Sequence, residues 1–252
     1  MIRAVIFDLD NTLTDFMTVK RAAVDAAVAA MLDAGLDARM GEARLEDLRT
    51  RVAAQIHDIY GREGLEYQKV FNAFLKEALG EVDYKLLAAA IVGYRRARDS
   101  ALVTYPHVHL TLHRLMRRGL KLAVVSDAPR EPAWLRLVYL NLHHVFDEVV
   151  TFEDTGVRKP ESAPFEETLR RLDVGADEAL MIGDWPDRDL AGARSVGIRT
   201  VFAKYGFSWS PDRTSIDTHP SDFVVHDILD LIDIVDRLND VASSEGTPAH
   251  GR

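Results

Sequence analysis

The sequence predicts an α/β protein: a parallel sheet wound with helices and interrupted, just after its first strand, by an inserted helical domain. Three observations carry this. From about residue 101 to 240, short runs rich in Ile, Val and Phe alternate with amphipathic stretches of helical length, the pattern of strands joined by helical crossovers. One further strand-like run, IRAVIFD at 2–8, stands alone at the start. Between it and the next, KLAVVSD at 121–127, lies far more chain than a structureless loop in a compact domain accounts for.

Each element follows in order. IRAVIFD reads as a buried strand. The next stretch, 16–100, carries helical spacing and no strand: VKRAAVDAAVAAMLDAGL closes at Gly35, and EARLEDLRTRVAAQIHDIYG, YQKVFNAFLKEALG and VDYKLLAAAIVGYRRAR follow, with Gly61 and Gly80 as stops. Four helices are expected there. Pro106 then opens a helix ending near Gly119, and KLAVVSD returns to strand. Helix 131–142 leads to the strand DEVVT, and helix 163–173 leads to ALMIGD at 179–184. DLAGARSVG gives a short helix, RTVFA and DFVVHD two strands, and DILDLIDIVDRLND an amphipathic helix. The domains expected are thus 1–15 with 101–240 as the sheet domain and 16–100 as the helical insertion. The tail 241–252 lacks periodicity and is expected to be disordered.

Composition narrows the function. The 252 residues suit one large domain or a domain carrying a substantial insertion. With 47% hydrophobic and 28% charged residues a packed core is within reach, and no apolar run approaches the roughly 18 residues of a membrane span. No basic leader precedes the first strand, so secretion is not expected and the cytoplasm is the expected location. The absence of cysteine excludes thiolate catalysis, disulfides and Cys-ligated zinc. A net charge of −9 argues against a nucleic-acid partner, which relies on clustered Lys and Arg. A small phosphorylated substrate stays compatible, because it needs only a local positive site. Monomer and homodimer remain equally open.

In open parallel sheets, ligands bind beyond the carboxyl ends of the strands. The first strand ends in Asp8, followed by Asp10 and Thr12; the second ends in Ser126-Asp127; the fourth ends in Gly183-Asp184, followed by Asp187 and Asp189; a loop after the third supplies Arg158-Lys159-Pro160. Singly, these read as turn, cap and surface residues. An EF-hand starting at Asp8 fails, since position six is Leu13 rather than Gly and position twelve is Val19 rather than Glu. Together, carboxylates from the first and fourth strands would repel unless a hard cation sat between them. Mg²⁺ suits that role, with Lys159 as a point charge and Ser126 as a donor for phosphate oxygens. Such a set is suited to phosphoryl transfer.

VIFDLDNTLT, VVSD, RKP and MIGDWPDRD, in this order, resemble the haloacid dehalogenase (HAD) superfamily. The likeness spans residues 2–16 and 101–240 and implies a Rossmann-like core, with the insertion similar to a helical C1-type cap. It implies a phosphatase in which Asp8 is the nucleophile and Asp10 the acid/base. Its metal set comprises Asp8, Asp10 through its backbone carbonyl, Asp184 and Asp189. Its phosphate-binding set comprises Ser126, Asp127, Lys159 and Thr12, the last orienting the first loop. Asp10 matters within the superfamily: dehalogenases lack an acid two residues after the nucleophile, and phosphonatase-like members carry Ala there. Two positions depart from the pattern: Asp127, where many relatives have Asn, and Trp185, where a small hydroxyl residue is common. The five-residue step from Asp184 favours Asp189 over Asp187 as the supporting acid.

His107, His109 and His113 are not read as ligands: Val108, Leu112, Leu115 and Met116 define the buried face of the helix, so His109 and His113 are expected to point to solvent; His143-His144 is treated alike. In the insertion, Lys20 and Arg21 are candidates for a second anionic group of the substrate, with Tyr60, Tyr67 and Arg95 weaker. A phosphosugar mutase on the same scaffold is the alternative enzyme, distinguished by an isomerised ester in place of free phosphate. A non-catalytic phosphate- or metal-sensing module would bind Mg²⁺ without turnover, and gains nothing from Asp10.

Overall fold

The computed structural model describes residues 1–41, 44–209 and 221–245. The chain divides into two compact units, Phe16–Leu102 and Met1–Asp15 with Val103–Arg252. The first consists of α1 (Phe16–Asp33), α2 (Leu36–Met40), α3 (Leu45–Glu63), α4 (Val70–Leu79) and α5 (Tyr84–Ala101). The apolar residues at helical spacing in α1 (Val24, Val28, Met31) meet Leu48, Ile56 and Phe74 in a core of its own. Asp83 caps α5, its carboxylate accepting from the amides of Lys85 and Leu86 at 2.9 and 3.2 Å.

Five helices replace the four expected. Gly35, at φ 99°, ends α1 as its sequence foretells. The fully buried Leu36 then anchors a further short helix, α2, before Gly41. Five residues hold too little periodicity to be seen in sequence.

The second unit holds six strands, β1 (Ala4–Phe7), β2 (Lys121–Val125), β3 (Glu148–Val150), β4 (Ala179–Gly183), β5 (Arg199–Ala203) and β6 (Phe223–Val225). They form one sheet in the order β3-β2-β1-β4-β5-β6, and every pairing is parallel. Among the described residues its α-helices are α6 (Val108–Arg117), α7 (Arg130–Tyr139), α8 (Phe152–Thr155), α9 (Ala163–Leu172), α10 (Ala191–Ser195) and α11 (Leu231–Glu245). β1 is fully buried along its length, which its unbroken apolar run dictates in a parallel sheet. The register sets Phe7 beside Val124 on one side and Ile182 on the other. The chain winds one way from β1 through β2 to β3 and the other way through β4 to β6, so the reversal falls between β1 and β4.

Two details differ from the sequence reading. Met116 on α6 is 45% exposed, and the buried face is completed by Thr111 with Val108, Leu112 and Leu115. The expected tail begins too early, because Val241–Glu245 belong to α11; its remainder lies outside the described residues, as does the start at 42–43 of the stretch that forms α3. Among the described residues, no helix is long and apolar enough to cross a membrane.

Candidate active site

The reversal between β1 and β4 brings Asp8 and Asp184 to adjacent strand ends. The Asp8 amide still donates to the Ile182 carbonyl at 2.9 Å, continuing the ladder. The loop beyond turns sharply. Asn11 takes φ 62°, a left-handed conformation that Asn tolerates, and its amide donates to the Thr14 carbonyl at 2.7 Å. Three groups from elsewhere in the unit brace this loop: the Tyr205 hydroxyl donates to the Thr12 carbonyl at 2.8 Å, the Tyr105 amide to the Leu13 carbonyl at 3.0 Å, and the Thr14 hydroxyl to the Val103 carbonyl at 2.6 Å. Gly206 lies so close that a Cβ there would overlap the Asn11 carbonyl. Thr12, fully buried, reaches Asp184 Oδ1 from Oγ1 at 3.4 Å.

After β4, the segment Pro186–Leu190 makes a single π-turn, and Asp189 folds back to accept from the Trp185 amide at 3.0 Å. Carboxylate oxygens of Asp8, Asp184 and Asp189 thereby come within 4.8 Å of one another, all buried. Asp187 is half-buried and lies outside this trio. The Lys159 ammonium, 4% exposed, stands 2.5 Å from Asp8 Oδ1, 2.7 Å from Asp189 Oδ1 and 3.1 Å from the Val125 carbonyl.

Burial would push the Lys159 ammonium down, but Asp189 and Asp8 overcome it and hold the amine above its usual range. Burial is also the main influence on Asp8, raising its carboxyl to about 7 against the pull of Lys159, with Asp189 and Asp10 adding to the rise. Three buried carboxyl groups thus share one site with a single ammonium. That all-oxygen donor set fits one hard divalent cation.

Asp10 is not in the trio; its side chain turns to Arg136 on α7, whose Nη1 lies 3.1 Å from Asp10 Oδ2. Ser126, buried, extends β2, its amide donating to the Val150 carbonyl at 2.9 Å while Oγ accepts from the Ala128 amide at 3.2 Å. The Asp127 side chain has partners of its own. Its Oδ1 accepts the Lys159 amide at 2.9 Å and its Oδ2 accepts from the Arg188 guanidinium, which also donates to the Lys159 carbonyl at 3.3 Å. The carboxylate thus ties three loops together. The guanidinium carbon of Arg188 lies 4.6 Å from the centre of the Trp185 ring, giving that ring a packing partner. Arg158, exposed, lies over Phe152.

Within the helical unit, Lys20 is buried, its ammonium donating to the Leu65 carbonyl and sitting 3.8 Å from the centre of the Tyr60 ring. Its charge is thus engaged inside that unit, against the expectation of an anion-binding role. Tyr60 and the half-buried Tyr67 belong to the core there; Arg21 and Arg95 are exposed. His109 and His113 are exposed as expected, His107 Nδ1 lies 2.7 Å from Asp227 Oδ2, and the His143 and His144 rings pack edge to face.

Arg136, Arg188, Tyr205 and Gly206 escape sequence reading. Only Arg136 leaves a signal: it shares the α7 stripe of Ala133, Leu137 and Leu140, and a cation on an apolar stripe needs a buried anion.

The family model for haloacid dehalogenase-like hydrolases matches residues 2–197. The chain belongs to that family. Glyceraldehyde 3-phosphate phosphatase of Methanocaldococcus jannaschii is 32% identical over 238 residues, 94% of this chain and 99% of its own. Its namesake in Methanopyrus kandleri is 33% identical with the same coverage. A HAD phosphatase from Thermococcus onnurineus superposes with a TM-score of 0.62 at 25% identity, covering 93% of this chain and 98% of that one. Family and relatives together make the chain a HAD-like phosphoric monoester hydrolase.

Proposed function

We propose that the protein is a Mg²⁺-dependent phosphatase that hydrolyses a small phosphorylated metabolite through an aspartyl-phosphate on Asp8. The observation that carries this is the arrangement of Asp8, Asp184 and Asp189 around Lys159, with a second acid, Asp10, two residues along. Asp8, Asp184, Asp189 and the Asp10 carbonyl would hold the ion. When bound, Mg²⁺ neutralises charge on the phosphoryl oxygens and on Asp8.

The chain's own residues do the rest. Asp8 Oδ attacks phosphorus; the P–O ester bond breaks, and Asp10 gives its proton to the departing oxygen. Asp10, now ionised, takes a proton from the water that attacks the aspartyl-phosphate, and Asp8 leaves as carboxylate with inorganic phosphate released. Lys159 and Ser126 hold the phosphoryl oxygens through both steps, and Thr12 ties the first loop to Asp184. The helical unit follows that loop directly in sequence, the placement of a C1-type cap, and we assign the choice among esters to it.

The relatives' names make D-glyceraldehyde 3-phosphate the first substrate to try. The test is phosphate release from that ester and from a generic phosphomonoester, with and without Mg²⁺, by wild type and Asp8→Asn. Mg²⁺-dependent release lost in the variant is expected. Undiminished turnover by Asp8→Asn would overturn the mechanism, and an isomerised ester without free phosphate would make the protein a mutase.

A further inference from the structure

We propose that Arg136 is the positioning residue for the Asp10 carboxyl, fixing the direction from which Asp10 delivers and collects its proton. This rests on the phosphatase reading above. Arg136 is 8% exposed, on the inner face of α7 with Ala133 and Leu137 and with Leu140 just past its end, all buried. A guanidinium in such a place is costly unless an anion meets it. The Asp10 carboxylate does, at 3.1 Å.

The loop's bracing is directed at backbone: the Thr12 and Leu13 carbonyls accept from Tyr205 and Tyr105, and Thr14 is tied to Val103. Those contacts fix where the Asp10 Cα stands and leave its side-chain torsions undetermined. The contact is a single approach of Nη1 to Oδ2, and the guanidinium that makes it is fixed by its own burial, so the carboxylate it attracts is drawn to one side. Proton transfer to a leaving oxygen depends on that orientation, since misplacement of about 1 Å costs about 10²-fold in rate. α7 begins four residues after Ser126, so the same contact ties the loop that ends β1 to the helix that leaves the Ser126 loop.

The test compares kcat/KM, which reports the steps through departure of the leaving group, for two esters. D-Glyceraldehyde 3-phosphate has an alkoxide leaving group that needs a proton; 2,4-dinitrophenyl phosphate has one that does not. Arg136→Met should lose about 10²-fold on the first, within the range of a general acid's contribution, and change little on the second. Arg136→Lys keeps the charge on a differently shaped head; it should show the same selectivity in smaller measure, and carries the test if Arg136→Met fails to fold. In an Asp10→Asn background, Arg136→Met should cost nothing further, because a residue acting through Asp10 has nothing left to act on. Equal losses on both esters, undiminished activity on the alkyl ester, or a further loss in the Asp10→Asn background would each overturn the proposal. If Asp10→Asn itself spared the alkyl ester, or wild type turned over neither ester, the underlying reading would fall instead.

Discussion

Gly206 offers a direct test of how the loop after β1 is held. A Cβ built there would fall 2.9 Å from the Asn11 carbonyl carbon and 3.0 Å from Asp184 Cβ, and would overlap the Asn11 oxygen outright. Carbon atoms rest about 3.5–4.0 Å apart, so Gly206→Ala demands a movement of at least about half an ångström. Both obstacles are stiff: one is backbone of a braced turn, the other the first side-chain carbon of a buried acid. Overpacking of this kind costs about 1–3 kcal/mol. At roughly 2–4 °C of Tm per kcal/mol for a chain of this length, the sheet unit should melt several degrees earlier. The larger effect is expected in catalysis. The displaced peptide joins Asn11 to Thr12, one residue past Asp10, and a shift approaching 1 Å costs about 10²-fold in rate. Mg²⁺-supported phosphate release and a thermal melt on the same preparation measure both. An alanine variant with wild-type kcat and unchanged Tm would refute the close approach and the bracing inferred from it.

Two further perturbations probe the charges. Lys159→Met leaves three buried carboxylates without their cation and should cost the metal-free protein about 3–5 kcal/mol; added Mg²⁺ should raise its melting temperature more than that of wild type, and an equal rise would contradict the shared-charge account. Asp154 lies on the sheet unit's surface network. Burial would raise its carboxyl, but the Arg171 guanidinium and the Thr151 hydroxyl and amide hold it at about 2. A folded value below the unfolded one gives stability that is present above about pH 4 and is lost as pH falls through about 2. Each tenfold gain in acidity on folding is worth about 1.4 kcal/mol, so Asp154→Asn should cost about 1–2 kcal/mol near pH 7. It should also flatten the loss of stability between about pH 4 and 2, which acid titration with circular dichroism would read.

Strands and long helices are legible because burial writes a period into them. All six strands appear as apolar runs, and the parallel order follows from the helices between them. What the sequence does not display is whatever depends on short elements or on distance. α2 and the π-turn at Pro186–Leu190 are each five residues long, too few for a period. The residues at the strand ends are legible because carboxylates after apolar strands resist burial and demand an explanation. The pairing of Asp127 is illegible for the opposite reason: its partner Arg188 is 61 residues away, and nothing local reveals it. Lys20 reads as a surface cation on a helix, and only the folded unit shows the Tyr60 ring and Leu65 carbonyl that enclose its ammonium.

The bond from Thr14 to Val103, with the bridge from Thr14 to Thr104, has a consequence for how such a chain came to carry its helical unit. The sheet unit's two severed ends are already clasped to each other at the point of departure and return. Closing a flexible loop costs entropy that grows with the logarithm of its length, but an insert with its own hydrophobic core, grafted onto clasped ends, does not behave as one flexible loop. The neck makes the helical unit a module, exchangeable for one of different size or recognition surface without disturbing the register of β1 or the placement of Asp8. A lineage holding such a joint can keep its sheet unit fixed while the inserted unit is rewritten.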